Sequence, residues 1–540
     1  MAEKKLLIIL NTTQEYIKHT GDEKELYAAP ISQLFESISN AYLPLVRMLE
    51  KFEKEELPVK LSLVLVPVLC TLLEDPEVQN QYIEWLDKKI EFGKSELTRL
   101  SGNEKLLQVA KECLERTEND KRDFEKYERR LIKKFSEFKK KGLLELIATC
   151  ATDIYLPFYT DMYEVMSAQV EAGIFAFRSF FGDMPNGFWL PELGYYKTVE
   201  NVLHDYNINY TILGTQSFLF STIEPVQGIF YPARFDNSVI AFGRDSTSDE
   251  KIEGDEGYIH NNVYRSENCD VLFSLDAKTI EPFVKKGTPR FASGYKYWNK
   301  GKNPEIQPFN ENENIYSSSD ALTQVEKDAY DFVGDIVTLV NNAEDIVSDL
   351  DTEFKDVSLV VTMNITQLSE KWFESTTWLE SVLRKFCNAP VVLDTPKSYV
   401  SEAYKLQKIE PYYGAISGVG YGEYLLSNKN NWMMKFVRKA SERMVDLADR
   451  FPTDTGLKPR LLNLGARELF FAQSAGWVKM IEYGIFPEYA RMRFIQSIND
   501  FTMVFDALGS NTVSTEWLTK LEEKHQIFPW LNFRIFSRKK

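Results

Sequence analysis

The run Lys5–Leu10, KLLIIL, is short, almost wholly apolar, and breaks into polar Asn11, Thr12 and Thr13. It reads as a strand buried on both faces and followed by a loop. Working outward, a helical pattern covers about Pro30 to Lys54, and VKLSLVLVPVL (Val59–Leu69) supplies a second buried strand. Strand, helix, strand is the grammar of a parallel α/β sheet or barrel. Further strand candidates are LLELIATCA (Leu143–Ala151), GFWLPE (Gly187–Glu192), YTILG (Tyr210–Gly214), SVIAFGRD (Ser238–Asp245), DVLFSL (Asp270–Leu275), VSLVVTMN (Val357–Asn364) and PVVLDTP (Pro390–Pro396). Helical segments separate most of them.

Two regions depart from this alternation. Glu74–Lys141 is highly charged with helical periodicity, and reads as a long helical hairpin inserted between strands with its charged faces solvated. After about Tyr399 strand signals stop, and the remaining segments carry helical periodicity. Ser246–Tyr258 (STSDEKIEGDEGY) and Gly301–Asn314 (GKNPEIQPFNENEN) have no apolar period and read as exposed loops. The expected organisation is a barrel domain over 1–398, a helical insertion at 74–142 within it, and a C-terminal helical domain at 399–540. A chain of 540 residues has room for several domains.

Composition narrows the function classes. With 44% hydrophobic and 27% charged residues the chain is an ordinary globular protein. A net charge of −16 argues against nucleic acid and against an anionic membrane surface, since both need basic excess. A neutral sugar is not repelled by that charge. The five cysteines form no C-x-x-C pair, and His19, His204, His260 and His525 show no metal-ligand spacing, so no metal or other cofactor is expected. The opening apolar run is too short for a signal-peptide core, and no stretch approaches the ~18 apolar residues of a membrane span. The expected location is the cytoplasm.

Barrels of this grammar carry reactive groups at the C-terminal ends of their strands. Three such ends stand out. In FWLPELGYY, Glu192 follows a strand and sits among Trp189, Pro191 and Tyr195. A carboxylate between rings suits attack on a sugar that stacks on those rings, although a structural glutamate fits the same place. In LIATCATDIYLP, Asp153 closes a strand and pairs on paper with Glu192. In VVTMNITQLSEKWFES, Asn364 closes a strand ahead of Trp372 and Phe373; it fits either a sugar hydroxyl or a turn cap.

At these residues the chain resembles glycoside hydrolase family 57, in its 1,4-α-glucan branching-enzyme-like branch. The likeness runs through ISNAYLPLVRMLEKF, LVPVLCTLLEDPEVQNQYIEWLDKKIE, GFWLPELGY, ASGYKYW, KWFESTTWLESVLRK, ARELFFAQSAGW and EYARMRF. It implies an incomplete (β/α)7 barrel with an inserted helical segment and a C-terminal helical domain. It also implies a retaining mechanism with a Glu nucleophile, an Asp general acid/base and several subsite histidines. Glu192 falls at the nucleophile position with Trp189, Pro191 and Tyr195 kept. The first family motif, close to H-A-H-L-P-Y, reads NTTQEY, so Asn11 and Thr13 replace its histidines while Tyr16 remains. Asp153 replaces the second motif's histidine. In MNITQLSEKWFES, Asn364 stands at the general-acid position and Glu370 at a histidine position, with Trp372, Phe373 and Glu374 kept. The family's S-S-D-W reads SAGW, with Gly476 before a retained Trp477. The branching-type loop keeps Arg244, Asp245 and Tyr258 but is one residue shorter and lacks a Trp.

A carboxamide neither gives nor takes a proton at neutral pH, and losing such a group forfeits ~10²–10⁴-fold in rate. The resemblance therefore implies a catalytically silent homologue that keeps affinity for α-glucan or maltooligosaccharide, with Tyr16, Trp189, Tyr195, Tyr258, Trp372 and Trp477 as the binding rings. Two alternatives stand beside it. One is an active branching enzyme or α-glucan hydrolase in which Asp153 or Glu370 replaces the lost acid. The other is a scaffold protein that docks partners through the helical insertion. Two new carboxylates near Glu192 are expected to push its pKa up.

Overall fold

The computed structural model describes residues 3–284, 287–288, 290–301, 314–350, 356–402, 405–416, 420–452, 455–510, 512 and 514–538. The Gly301–Asn314 segment therefore lies outside the described residues except for its two ends.

The strands are β1 (Lys4–Asn11), β2 (Leu61–Val64), β3 (Leu144–Thr149), β4 (Gly187–Trp189), β5 (Tyr210–Leu213), β6 (Ala233–Arg234), β7 (Ile240–Gly243), β8 (Val357–Asn364) and β9 (Val392–Asp394). Seven of them run parallel in the order β7-β5-β4-β3-β2-β1-β8; β6 pairs antiparallel on β7, and β9 lies parallel on β1. The sheet curls until its two edges touch. A single parallel bridge joins Arg244 to Val360, and the Asp245 amide donates to the Val360 carbonyl at 2.8 Å. One bridge where a closed barrel has a ladder makes this an incomplete (β/α)7 barrel.

The apolar run of β1 is continuous because both of its faces are covered. Leu6, Ile8 and Leu10 face the outer helices, while Leu7 and Ile9 turn inward among Val64, Ile147, Ile212, Phe242 and Val360. Each such side chain contributes about 1.5–3 kcal/mol by leaving water. Gly173, on the helix Tyr163–Phe181, brings that helix against the end of β3: a Cβ there would lie 1.9 Å from the Thr149 carbonyl oxygen. Gly173→Ala is thus expected to lower stability by about 1–3 kcal/mol, read as the urea midpoint with the slope unchanged.

Several sequence expectations need correction. In the charged insertion the helices Pro76–Arg99 and Glu104–Lys126 pack on each other as the expected hairpin, and a third helix, Leu131–Lys140, follows them. Asp75 caps the first through the Glu77 and Val78 amides, and Asn103 caps the second through Leu106. Leu106, Val109, Ala110, Cys113, Leu114 and Phe124 form its buried stripe, but Asp120 and Glu96 are buried too, so the charge is only partly solvated. DVLFSL forms a helical turn, Val271–Ser274, because Asp270 accepts from the Leu272 amide; a short apolar run does not by itself separate strand from helix. Val59–Leu69 splits at Pro67, which opens the helix Pro67–Glu74. The Ser246–Tyr258 loop contains the helix Thr247–Glu253, which Asp245 initiates by accepting from the Thr247 and Ser248 amides.

The C-terminal region is helical. The helices Met434–Arg450, Leu457–Gln473, Ala475–Tyr483, Pro487–Ser510 and Thr515–Lys524 pack on one another. The Ala475 amide donates to the Asp153 carbonyl at 2.6 Å, which fixes the start of the third of them over the end of β3.

Candidate functional site

Sheet register gathers the strand ends. Asn11 lies opposite both Val64 and Asn364, and Thr149 opposite Trp189. Above them opens a cleft of about 630 Å³, lined by Asn11, Thr13, Glu15, Asp153, Trp189, Glu192, Arg244, Asn364, Glu370 and, from the C-terminal helices, Gly476, Lys479 and Tyr483. That volume suits a small-molecule ligand.

Glu192 sits just beyond β4 with φ +57°, a left-handed conformation rare outside glycine, and its carbonyl accepts from the Ile416 amide at 2.7 Å. Backbone strain of this kind gathers at functional sites and persists because the surroundings hold it. The Glu192 carboxylate accepts from the Tyr424 hydroxyl and from Lys479 Nζ at 2.8 Å. The same ammonium lies 2.5 Å from Asp153 Oδ2. One lysine therefore stands between the two carboxylates, all three about nine-tenths buried.

The charges follow from this geometry. Burial works to raise the Glu192 pKa, but Lys479 and Tyr424 outweigh it and hold the carboxyl below its usual value. The expected upward shift is thereby corrected: the neighbour that decides it is a cation. Burial pushes Asp153 above its usual value, with Lys479 opposing and Glu192 adding to the rise. Burial opposes the charge on Lys479, yet the two carboxylates keep its pKa well above normal.

Asn364 caps the helix Ile365–Lys371. Its Oδ1 accepts from the Gln367 amide at 3.1 Å, and Nδ2 reaches Thr13 Oγ1 at 3.5 Å. It is a cap and a cleft residue at once. Glu370 accepts from Gln33 Nε2 at 3.0 Å, and burial lifts its pKa to about 7. The folded protein therefore binds a proton at Glu370 that the unfolded chain has already lost, so stability falls as pH rises from about 4.5 to about 7. Glu370→Gln is expected to raise the melting temperature at pH 8 and leave it unchanged at pH 4, by thermal unfolding at both.

Glu15 accepts from Ser474 Oγ at 2.7 Å, and burial together with Asp153 lifts its pKa to about 7. A Cβ on Gly476 would lie 1.7 Å from Glu15 Oε1. The glycine found where the resembled motif has Asp thus makes room for a carboxyl that arrives from another strand end.

Of the six rings expected to bind sugar, only Trp189 lines the cleft. Trp372 is fully buried against Trp378 and Tyr264. Tyr16 stacks on Phe471, Tyr195 stacks on Phe235 with its hydroxyl on Glu200, and Trp477 is buried with Nε1 on the Phe471 carbonyl. Tyr258 packs on Trp378 and donates to Asp331. These five placements are corrected: the rings are core, because a motif records which residues sit near a strand end but not which way they turn. The cleft's other rings are Tyr424 and the exposed Tyr483, 6.0 Å apart, which sequence reasoning missed. It also missed Lys479; a lone lysine in the run Trp477–Ile481 was its signal.

Arg244 is buried; it donates to Thr362 Oγ1 at 3.1 Å and contacts Asp249, and burial lowers its pKa to about 10. Among the described residues, Glu468, Asp500 and His525 offer atoms within 4.8 Å of one another, but His525 Nδ1 is taken up by Glu468 and none of the three lines the cleft. No helix of the described residues is long and apolar enough to cross a membrane.

The model of glycosyl hydrolase family 57 matches residues 7–253, and the model of the 1,4-alpha-glucan branching enzyme C-terminal region matches residues 437–536. A 1,4-alpha-glucan branching enzyme of Thermococcus kodakarensis is 23% identical over 96% of this chain and 76% of its own length. The alpha-amylase AmyC of Thermotoga maritima superposes with a TM-score of 0.90 at 25% identity over 100% of both chains. The GH57-type branching enzyme of Pyrococcus horikoshii has the same fold, with a TM-score of 0.86 at 20% identity over 99% of this chain and 97% of that one. The Thermococcus kodakaraensis branching enzyme, solved with glucose, gives 0.85 at 20% over the same shares.

Proposed function

We propose that this protein is a catalytically silent branching-enzyme homologue that binds α-glucan in its cleft. The observation that carries this reading is the ammonium of Lys479 held between Glu192 and Asp153. In a retaining glycosidase two carboxyl groups flank the glycosidic bond, one attacking and one giving the proton. Here a cation occupies the gap between the candidate pair. The position expected for the acid is Asn364, whose carbonyl oxygen is already committed to a helix cap. Glu192 is the nucleophile position in this reading, and Asp153 and Glu370 do not rebuild the acid: Asp153 is tied to Lys479 and Glu370 to Gln33.

Binding asks less of the site than catalysis. Tyr424 and Tyr483 offer apolar faces for pyranose rings, with the mostly buried Trp189 in the cleft wall, and Asn11, Thr13 and Asn364 offer hydroxyl partners. The relatives named as branching enzymes, one solved with glucose, support a glucan as the ligand class. The same reading keeps the boundaries 1–398, 74–142 and 399–540, and a cytoplasmic location.

Isothermal titration with maltoheptaose is expected to show saturable binding, and amylose incubated with the protein is expected to gain neither reducing ends nor branches. Brisk turnover would remove the silent half of the reading; absence of binding would remove the glucan half.

A further inference from the structure

A second pocket lies where the helical insertion meets the barrel. It is small, about 40 Å³, and Lys89, Arg116, Arg265 and Lys296 line it together with Glu370 and Phe373. The four cations come from separate parts of the chain: Lys89 and Arg116 from the two long insertion helices, Arg265 and Lys296 from the irregular segment that follows β7. Sequence reasoning placed the insertion's charge in solvent; here some of it is turned inward.

Most cations inside proteins have a carboxylate on them, because an uncompensated buried charge is costly. Among the described residues, three of these four have no carboxylate within ion-pair distance of the side chain, although Glu374, which accepts from the Arg265 amide at 3.2 Å, acts on Arg265 from further off. Arg265 is 5% exposed; its Nη1 reaches only Cys113 Sγ, at 3.7 Å, and its Nε is buried with no hydrogen-bond partner. Arg116 donates to the Ser39 carbonyl and to Asn40 Oδ1, both neutral. Both guanidinium groups stack on Phe373, at 4.1 and 3.8 Å from the ring centre, which brings two like charges to one ring. Lys89 has the Trp85 ring at 4.2 Å as its contact, and Gly294 leaves room for it, since a Cβ there would lie 2.5 Å from its Nζ.

Three of the four acids on the same wall are committed elsewhere, and the fourth, Glu36, faces Lys296 of the pocket itself. Asp120 lies 2.9 Å from Arg47, and Glu267 lies 3.0 Å from Lys300. Glu370 is bound by Gln33. Glu36 is 3.9 Å from Lys296, and burial favours its neutral form. Burial works to lower the pKa of Arg265, but Cys113, Tyr316 and Glu374 outweigh it and hold the group above its usual value. Burial pushes the pKa of Lys89 down, with Glu36, Asp120 and Asp270 opposing; it does the same to Arg116, with Asp120 opposing and Arg265 and Arg47 adding to the fall. Repulsion of that kind is relieved when an anion enters.

We propose that this pocket is a binding site for a phosphate group, held by Lys89, Arg116 and Arg265 as the counter-ion these cations lack. A tetrahedral oxyanion matches paired guanidinium donors and a lysine point charge, and the volume suits one such group. The phosphate is inorganic phosphate or the monoester of a sugar phosphate. The site stands whether or not the cleft binds glucan. Glu370, on the helix that Asn364 caps, lines both cavities, so the pocket and the cleft share a wall.

The test is isothermal titration of the full-length protein with potassium phosphate and, separately, with glucose 1-phosphate, against potassium chloride at equal ionic strength. Saturable binding of phosphate with chloride silent is the expected result, and a response to glucose 1-phosphate extends the site to monoesters. Lys89→Met and Arg116→Gln are each expected to weaken binding on the order of tenfold or more, while Arg122→Gln, an exposed neighbour on the same helix, leaves it unchanged. Circular dichroism confirms that the variants fold. No heat from either phosphate, or affinity that survives both Lys89→Met and Arg116→Gln, overturns the proposal.

Discussion

Lys479→Met is expected to destabilise the protein by about 3–5 kcal/mol near neutral pH, because it strips the shared cation from two buried carboxylates. Methionine matches the shape of the lysine stem, so the loss reports charge and not volume. The pH dependence separates this from a packing defect. In the wild type, Lys479 pairing holds the Glu192 pKa below its usual value, so that group contributes stability above its unfolded pKa and loses it as pH falls through the folded one. In the variant both carboxyls are pushed up by burial, and folding carries a penalty that disappears once they protonate. The deficit measured in guanidinium is therefore largest above pH 7 and shrinks towards pH 4. Adding Glu192→Gln to Lys479→Met is expected to recover a large part of the loss, since the double variant leaves one charge stranded instead of two. A loss below about 1 kcal/mol at pH 7.5, flat with pH, would mean the cation does not hold the site together.

Asn364→Asp is the second large effect, on activity instead of stability. Aspartate caps a helix as well as asparagine, so the Gln367 amide keeps its acceptor and the fold is expected to change little. Thr13, which now faces the Asn364 amide, has a hydroxyl to give to the new carboxylate. The variant places a proton donor where a carboxamide stood, and a positioned general acid supplies ~10²–10⁴-fold. Turnover of amylose is expected to rise about 10²-fold over wild type, at the low end because Lys479 still holds Glu192. The assay is reducing-end release together with isoamylase-sensitive branches, with Glu192→Gln in the same background as the control that abolishes the gain. If Asn364→Asp is as inert as the wild type, the missing acid is not what limits this site.

The sequence by itself determined the layout. Alternating strand and helix periods through the first four hundred residues, and helical periods beyond, express which side chains must leave water, and that requirement is local enough to read along the chain. The strand ends were equally legible: Asn11, Asp153, Glu192 and Asn364 were picked out as sequence positions and all line one cleft. What only the tertiary structure decided is direction and company. Tyr16, Tyr195, Tyr258, Trp372 and Trp477 carry the right chemistry for sugar and are turned into the core, because an aromatic ring gains more from full burial than from half-exposure at a rim. Lys479 stands almost three hundred residues from Glu192 and sets its charge. Electrostatic energy depends on distance in space, and no period, spacing or motif along the chain encodes which distant cation the fold delivers to a buried acid.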